Sequence, residues 1–510
     1  MADVSLSGPG YLNFTFKKSW LASELNSLAQ TVSRSAPERR TPTKKVVIDY
    51  SAPNVAKEMH VGHLRTTIVG DSLARVLEHQ GNDVLRQNHI GDWGTPFGML
   101  IEQLLDVGLD SPEAMLIRDD PNAFYQSARA RFDGDPSFAD RARNRVVMLQ
   151  SHEPETIKIW ESLLTLSRSY FNRVYSALDV TLNDSHLAGE SFYSDRLADV
   201  CSELTEAGLA TVSDGALCVF LPEFPGREGQ PSPLIIRKRD GGYTYATTDL
   251  AALRYRVDEI KADRLIYVVG ATQELHLRMV WSTARLAGWL PPDIEVTHVK
   301  IGSVLGSDHK ILRTRAGSSP RLLDLVNSAE ERIRENFFFK DGSTPEEQQK
   351  VAETVGVGAI KYAELSVSHD SDYVFDVERM TSFVGNTGPY LQYAGARIHS
   401  LFTKAGVTLP QVLSETCPIS IDAPTDRALA ITLLDFPGVL REVEETLAPH
   451  KLCIHLYELA QKYSAFYESS PVLQAPSPEI RAARLRLTGL VLHQLTLGLG
   501  LLGIGTPTSM

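Results

Sequence analysis

Two imidazoles three residues apart, His60 and His63, with Gly62 between them, lie in the stretch SAPNVAKEMHVGHLR (residues 51–65). Imidazole N–H groups donate to anionic oxygens, and a helix N-terminus adds unpaired backbone N–H groups and about half a positive charge. The stretch therefore suits the holding of phosphates, with Lys57 as a point charge and Gly62 allowing a nucleotide close to the backbone. Two solvent-facing histidines on a helix would have the same spacing, so the surrounding elements decide. KVVIDY (residues 45–50) is β-branched and apolar and predicts a buried strand, SAPN a turn, and residues 61–79 a helix. Strand, tight turn and helix open a nucleotide-binding α/β domain.

The rest of the chain fits that frame. LIYVV (residues 265–269) and residues 294–301 predict strands, with a helical run over 274–287 between them, a second β-α-β unit. Residues 127–166 carry charged helical spacing and read as an insertion between the halves of the sheet. SAPERRTPTKK (residues 35–45) reads as a linker. From about residue 344 the pattern is almost wholly helical. The expected fold class is α/β, a Rossmann-type parallel-sheet domain followed by an all-α domain.

Charge and cysteine usage exclude several classes. The 510 residues carry 51 Lys and Arg against 63 Asp and Glu, a formal charge of −12, which argues against indiscriminate adhesion to nucleic acid or anionic membrane. Local basic clusters remain, at Arg39, Arg40, Lys44 and Lys45, at Arg141, Arg143 and Arg145, at Arg237, Lys238 and Arg239, and at Arg481, Arg484 and Arg486. Each reads as a solvated face rather than a contact surface. Four cysteines without a C-x-x-C pair offer no disulfide framework and no zinc signature, and no metal site is expected. The N-terminus lacks the pattern of a signal peptide. The most apolar tract, residues 485–504, is broken by Arg486, His493 and Gln494 and reads as a buried helix and not a membrane span. A cytoplasmic chain is expected.

The histidine stretch resembles the HIGH signature of class I aminoacyl-tRNA synthetases and, in this extended form, that of the arginyl-tRNA synthetases. Further stretches resemble that family in the same order: NHIGDWGTPFGMLIEQL from Asn88, GESFYS from Gly189, RDGGYTYATTDLAALRYR from Arg239, GVGAIKYAELS from Gly356, DYVFDVERMTSFVGNTGPYLQYAGAR from Asp372 and LYELAQKYSAFYESSPVL from Leu456. The resemblance implies ATP with Mg2+, L-arginine and tRNA(Arg) as partners, a monomer, and two steps: arginine carboxylate onto the α-phosphorus of ATP, then a hydroxyl of the terminal tRNA ribose onto the adenylate carbonyl. Residues 45–372 would be the catalytic domain and residues 373–510 the anticodon-binding bundle.

A protein that selects arginine needs carboxylates facing a planar guanidinium. Asp49 at the end of the first strand and Asp249 in YATTD are candidates, with Tyr245 supplying a face or hydroxyl; a helix N-cap is the plainer role for Asp249. The resemblance adds Asn54 for the amino-acid head group and Gln273 from the second half-sheet, and assigns ATP to His60, Gly62 and His63. It aligns GSDHKILRTRAG (residues 306–317) with the mobile KMSKS loop, giving Lys310, Arg313 and Arg315 as catalytic cations with Lys57 compensating for a degenerate loop. Tyr390, Tyr393 and Arg397, at i, i+3 and i+7, share a helical face suited to tRNA contact or to packing between domains.

The chain departs from the family pattern mainly on the tRNA side. Only GPGYLNFTFKKSW (residues 8–20) resembles the end of the usual N-terminal tRNA-binding domain, so residues 1–44 are expected to be its remnant plus a linker. Gly270, Thr272, Val384 and the TPTSM ending are smaller departures. Two functions fit: an arginine–tRNA ligase, or an arginine-activating paralogue that passes the acyl group to another acceptor.

Overall fold

The computed structural model describes residues 3–33, 44–55, 57–109, 111–226, 231–312, 320–337, 339–340 and 342–510. The chain opens with a hairpin of β1 (Asp3–Ser7) and β2 (Tyr11–Thr15), followed by helix α1 (Lys18–Ser33). Leu21, Leu25 and Ala29 of α1 are buried, and Lys18 Nζ donates to the Asp422 carbonyl at 2.6 Å. The N-terminal piece is therefore anchored to the C-terminal helices. Most of the expected linker, residues 35–43, lies outside the described residues.

The sheet that carries the histidines starts with β3 (Lys45–Asp49), leads through helix α2 (Val61–His79) and continues in β4 (Asp83–Gln87). Side chains alternate across β3. Val46 and Ile48 join the core under α2 with Leu64, Ile68 and Leu73, whereas Val47 joins a second core on the opposite face. Next comes a helical layer of α3 (Thr95–Val107), α4 (Pro112–Asp119), α5 (Pro121–Gly134), α6 (Pro136–Gln150) and α7 (Pro154–Ala177). From α4 to α7 each helix begins with proline, and the residue before it, Ser111, Asp120, Asp135 or Glu153, accepts first-turn backbone N–H groups. These caps extend the insertion beyond residues 127–166 on both sides. Its basic cluster is also consumed internally: Arg141 and Arg145 pair with Glu102, Arg141 with Asp106, and Arg143 with Asp140.

Helix α8 (Leu197–Glu206) then leads into an antiparallel sheet, β5 (Ala210–Ser213), β6 (Ala216–Pro225) and β7 (Pro231–Arg237), which the hydrophobic pattern did not announce. Helix α9 (Tyr245–Asp258) returns the chain to the main sheet at β8 (Arg264–Gly270), α10 (Glu274–Leu286) and β9 (Glu295–Ile301). The strand order is β4-β3-β8-β9, all parallel, as the two β-α-β readings required. Helices α9 and α10 cover the face opposite α2.

Short strand β10 (Val304–Leu305) precedes α11 (Leu322–Asn336) and α12 (Pro345–Leu365). β11 (Tyr373–Val374) pairs in parallel with β10, so the two residues that open the expected helical domain hydrogen-bond back to the sheet side. The remaining helices are α13 (Val377–Met380), α14 (Gly388–Ala405), α15 (Leu409–Ser414), α16 (Pro424–Thr446), α17 (His450–Ser469) and α18 (Pro478–Leu501). Helix α1 packs on α15, α16 and α18, and α2 on α12, α16 and α18. The apolar tract near the C-terminus is buried in α18, and no helix among the described residues is long and apolar enough to cross a membrane.

One buried ion pair ties the histidine helix to α12. Arg65 of α2 and Glu364 of α12 are both fully buried, with Arg65 Nε 3.1 Å from Glu364 Oε2. Arg65 also donates to the carbonyls of Ser368 and Ser371, and the Tyr373 hydroxyl donates to Glu364. Removing one partner leaves a buried charge uncompensated. Arg65→Met should destabilise the fold by about 3–5 kcal/mol, read as a lower urea midpoint; an unchanged midpoint would show that the pair is dispensable.

Candidate active site

Because the four strands are parallel, the segments that leave their carboxyl ends converge on one edge of the sheet, where ligands of open α/β sheets bind. Residues 50–60 follow β3, residues 88–94 follow β4, and residues 271–276 follow β8. Of the expected site residues, Asn54, Lys57 and His60 lie in the first of these segments and Gln273 in the third; Asp49 ends β3 itself, Gly62 and His63 open α2, and Tyr245 and Asp249 lie in the first two turns of α9.

The turn after β3 is strained and held. Ser51 and Ala52 have φ of 73° and 46°, a region that side-chain-bearing residues seldom occupy. Asn88 Oδ1 accepts from Ala52 N at 3.0 Å, while Ser51 Oγ lies 2.8 Å from the Tyr175 hydroxyl and accepts from Thr67 Oγ1 at 2.9 Å. The turn thereby swings Asn54 across to pair with Gly91. Any Cβ at Gly91 would come within 2.4 Å of Asn54 Oδ1, so this glycine makes room for the Asn54 side chain.

His60 is the N-cap of α2. Its Nδ1 accepts from Gly62 N at 3.0 Å, and His63 Nδ1 accepts from His60 N at 3.2 Å, a reciprocal cap. With Nδ1 of each ring accepting, each neutral imidazole carries its proton on Nε2, as a donor. Burial, then the charge of Lys57, lowers His60 from its ordinary pKa, and burial and the neighbouring His60 push His63 down to about 3. Both rings are thus neutral donors near neutral pH. Gly62 has a local duty as well as the expected one, since a Cβ there would meet His60 Cε1 at 2.8 Å. Lys57 lies over the Tyr125 ring, 4.1 Å from its centre, and lines a cavity of about 570 Å³ with Glu58, Tyr170 and Arg173.

Asp49 requires a correction. Its Oδ2 is bound by the chain's own Arg256 at 2.7 Å, and both side chains are almost fully buried. Arg256 also donates to Gln87 at 2.6 Å. Strand alternation directs Asp49 to the second core, so the guanidinium it faces is internal. Asp249, in the second turn of α9, is open to the edge; its Oδ2 lies 2.6 Å from His276 Nε2 and its Oδ1 3.9 Å from His89 Nε2. Burial would raise its pKa, but the His276 hydrogen bond and the charges of His89, His276 and Arg256 bring it below the ordinary carboxylate range. It is not the helix cap; that position belongs to Thr244. Tyr245 is exposed and packs edge-on to His276 at 4.7 Å, and Gln273 is exposed in the turn that enters α10.

The pocket holds a further carboxylate that residue spacing alone does not single out. Glu190, within GESFYS, is pushed up to about 8 by burial and then by Asp92 and Asp249. Asp92 is itself bound by Ser191 N at 2.8 Å and Ser191 Oγ at 2.6 Å. A partly buried acid crowded by carboxylates is a place where a cation is stabilised. The signal for it in the sequence is the acid within the family-like GESFYS stretch.

In the basic loop, Lys310 is exposed, and Arg313 and Arg315 lie outside the described residues. The segment beyond them is fixed to the histidine signature: Val61 N donates to the Pro320 carbonyl and Leu322 N to that of Met59. On α14 the three expected residues divide. Tyr390, half-buried, packs edge-on against Tyr457 of α17 and against the core. Tyr393 and Arg397 stay exposed, 5.9 Å apart by ring centre, and line a cavity of about 430 Å³ with Lys404, Tyr463 and Tyr467.

Comparison with known proteins gives a consistent result. A family model for the class I (R) tRNA synthetase catalytic domain matches residues 26–377, and one for the DALR anticodon binding domain matches residues 391–510. The arginine–tRNA ligase of Thermobifida fusca is 58% identical over 510 residues, 100% of this chain and 88% of its own length; that of Frankia casuarinae is 48% identical, covering 100% and 87%. Among solved structures, arginyl-tRNA synthetase from Plasmodium falciparum superposes with a TM-score of 0.82 at 28% identity, and that of Thermus thermophilus with 0.80 at 26%. Each comparison covers the whole of this chain, with 86% and 88% of the other.

The cap on α2 can be tested apart from any activity. His60→Ala should destabilise by about 1 kcal/mol, and His60→Asn, a strong capping residue, should restore the unfolding midpoint. Equal midpoints for both variants would mean that the cap contributes nothing.

Proposed function

The chain belongs to the arginyl-tRNA synthetases of class I, and on that premise we propose which of its residues perform the two steps by which arginine is activated with ATP and transferred to tRNA. The activity rests on 58% identity to an arginine–tRNA ligase along the whole chain. The site assignment rests on one observation: Asp249 and Glu190 form a carboxylate pocket at the sheet edge that also carries the two neutral imidazoles.

In this reading Asp249 and Glu190 receive the guanidinium, with Tyr245 against its face and Gln273 at the rim. Asn54 takes the amino-acid head group, so the carboxylate points toward α2. Asp49 supports the pocket from below through Arg256. The Nε2–H groups of His60 and His63, with the N-terminus of α2, stabilise charge on the ATP phosphates as the arginine carboxylate attacks the α-phosphorus and pyrophosphate leaves. Mg2+ enters as counter-ion of the ATP phosphates, as part of the substrate. Lys310, Arg313 and Arg315 serve the leaving group, and Lys57 adds charge from the near side. The protein moves no proton in this step; its contribution is position and electrostatics. In the second step a ribose hydroxyl of the tRNA terminus attacks the adenylate carbonyl and AMP leaves. Tyr393 and Arg397 offer the helical domain's contact to tRNA(Arg), by stacking and charge. A monomeric, cytoplasmic enzyme completes this reading.

Arginine-dependent pyrophosphate exchange, run with and without tRNA beside a charging assay, tests the whole. Stable charging is expected; exchange without charging would favour a different acyl acceptor. Asp249→Asn should raise the arginine KM far more than the ATP KM, because only the guanidinium loses its counter-charge, and equal rises would overturn the pocket assignment. His60→Asn, which keeps the cap, should still lower kcat roughly 10²-fold by removing a phosphate donor.

A further inference from the structure

Both oxygens of Asp249 face an imidazole. His276 Nε2 is 2.6 Å from Oδ2, and His89 Nε2 is 3.9 Å from Oδ1. The two rings come from different elements, His276 from the first turn of α10 and His89 from the loop after β4, and each side chain is 15% exposed. Both are packed in place, His276 edge-on to Tyr245 at 4.7 Å and His89 stacked on Tyr193 at 5.6 Å.

The fixed charges around them are already committed. Arg256 is bound to Asp49 and Gln87, and Glu274, on the same helix as His276, is paired with Lys300 of β9 at 2.8 Å. His298 of β9 lies 3.1 Å from the Val269 carbonyl and is held below its ordinary pKa, chiefly by burial. The groups left to change charge around Asp249 are therefore His276, His89 and Glu190, with Asp92 beyond His89 and Glu190, held by burial above the ordinary carboxylate range.

An imidazole in hydrogen-bond contact with a carboxylate does two different things on either side of its titration. Neutral, it donates a hydrogen bond that orients the carboxylate and leaves its negative charge available. Protonated, it cancels that charge at contact distance and repels an arriving guanidinium. We propose that His276, with His89 on the other oxygen, is a specificity-determining residue of the arginine pocket: the neutral pair presents Asp249 to the guanidinium, and the protonated pair takes Asp249 as its own counter-ion and weakens arginine binding. The inference rests on the assignment of Asp249 to the guanidinium. By linkage, bound arginine must in turn expel the proton from the imidazole pair.

The sign is fixed. Protonation of either ring adds positive charge beside the guanidinium site, so arginine KM rises as pH falls, while ATP KM stays level. Glu190, pushed up to about 8, contributes a separate rise at higher pH as it takes up its proton. Glu190→Gln removes that contribution and isolates the imidazoles.

The experiment is the arginine KM of the charging reaction from roughly pH 5.5 to 8.5, for wild type, Glu190→Gln and Glu190→Gln with His276→Asn. Asparagine can donate to Asp249 but cannot be protonated. In Glu190→Gln, arginine KM should rise about tenfold toward acid pH with ATP KM unchanged, and the added His276→Asn should reduce the rise to under about twofold. A profile of the same shape with His276→Asn, merely displaced to higher KM, overturns the proposal and leaves His276 a structural role. Should that variant fail to fold, calorimetric titration of arginine into Glu190→Gln at about pH 6.5 in two buffers of different ionisation enthalpy decides: proton release supports the proposal, and none overturns it. If Asp249→Asn affects arginine and ATP alike, it is the pocket assignment that fails; arginine-selective loss there with an unaltered His276→Asn profile sinks this inference alone.

Discussion

The site hangs on the turn that ends β3. Two consecutive residues with side chains, Ser51 and Ala52, sit at positive φ, a conformation that persists only when the surroundings over-determine it. Tyr175 of the helical insertion, Asn88 of the loop after β4 and Thr67 of α2 all bond to this turn. Three separate parts of the fold must therefore be in place before the chain can leave the strand in this direction. Once they are, Asn54 meets Gly91 and His60 reaches the start of α2, so these two positions are set relative to each other.

Around that turn the protein buries charged groups with internal partners, two as ion pairs and one lysine held by backbone carbonyls. Arg256 with Asp49 joins α9 to β3, Arg65 with Glu364 joins α2 to α12, and Lys361 of α12 donates to the carbonyls of Asp179 and Gly503 at 2.8 and 2.7 Å. Burial, only partly offset by Asp71, pushes Lys361 down to about 8. Such buried arrangements add little net stability because desolvation offsets their attraction, but each is costly to break and permits few alternative packings. Two of the three involve α12, which lies between the histidine helix and the helical domain, so the position of α2 is bound to the packing of the C-terminal half.

Asp49, bound to an internal guanidinium, and Asp249, the proposed receptor of a substrate one, differ for a physical reason. Asp49 sits on a strand whose alternation buries it, so its counter-ion must be a fixed part of the chain. Asp249 sits on a helix face toward the open edge, and its immediate partners are imidazoles, whose charge yields to the surroundings. The same residue type thus serves once as structure and, in the proposed reading, once as a receptor for a cation.

Much of this was legible in the sequence. Residues 45–50, 61–79, 265–269 and 294–301 have apolar periodicities that dictate strand or helix locally, and the order of these elements with the glycine, proline and histidine spacing of residues 51–65 leaves little choice of fold. Helix caps before Pro112, Pro121, Pro136 and Pro154 were written there too, though the weak periodicity of residues 127–166 hid their extent. What the sequence could not decide was direction. Whether Asp49 or Asp249 faces the pocket, whether Tyr390 or Tyr393 faces solvent, and that His89 and His276, 187 positions apart in a chain of 510, converge on one carboxylate depend on which faces are covered by distant segments. Local propensity acts over a few residues, whereas burial and electrostatic neighbourhood are set by contacts between residues far apart in the chain, and those exist only once it has folded.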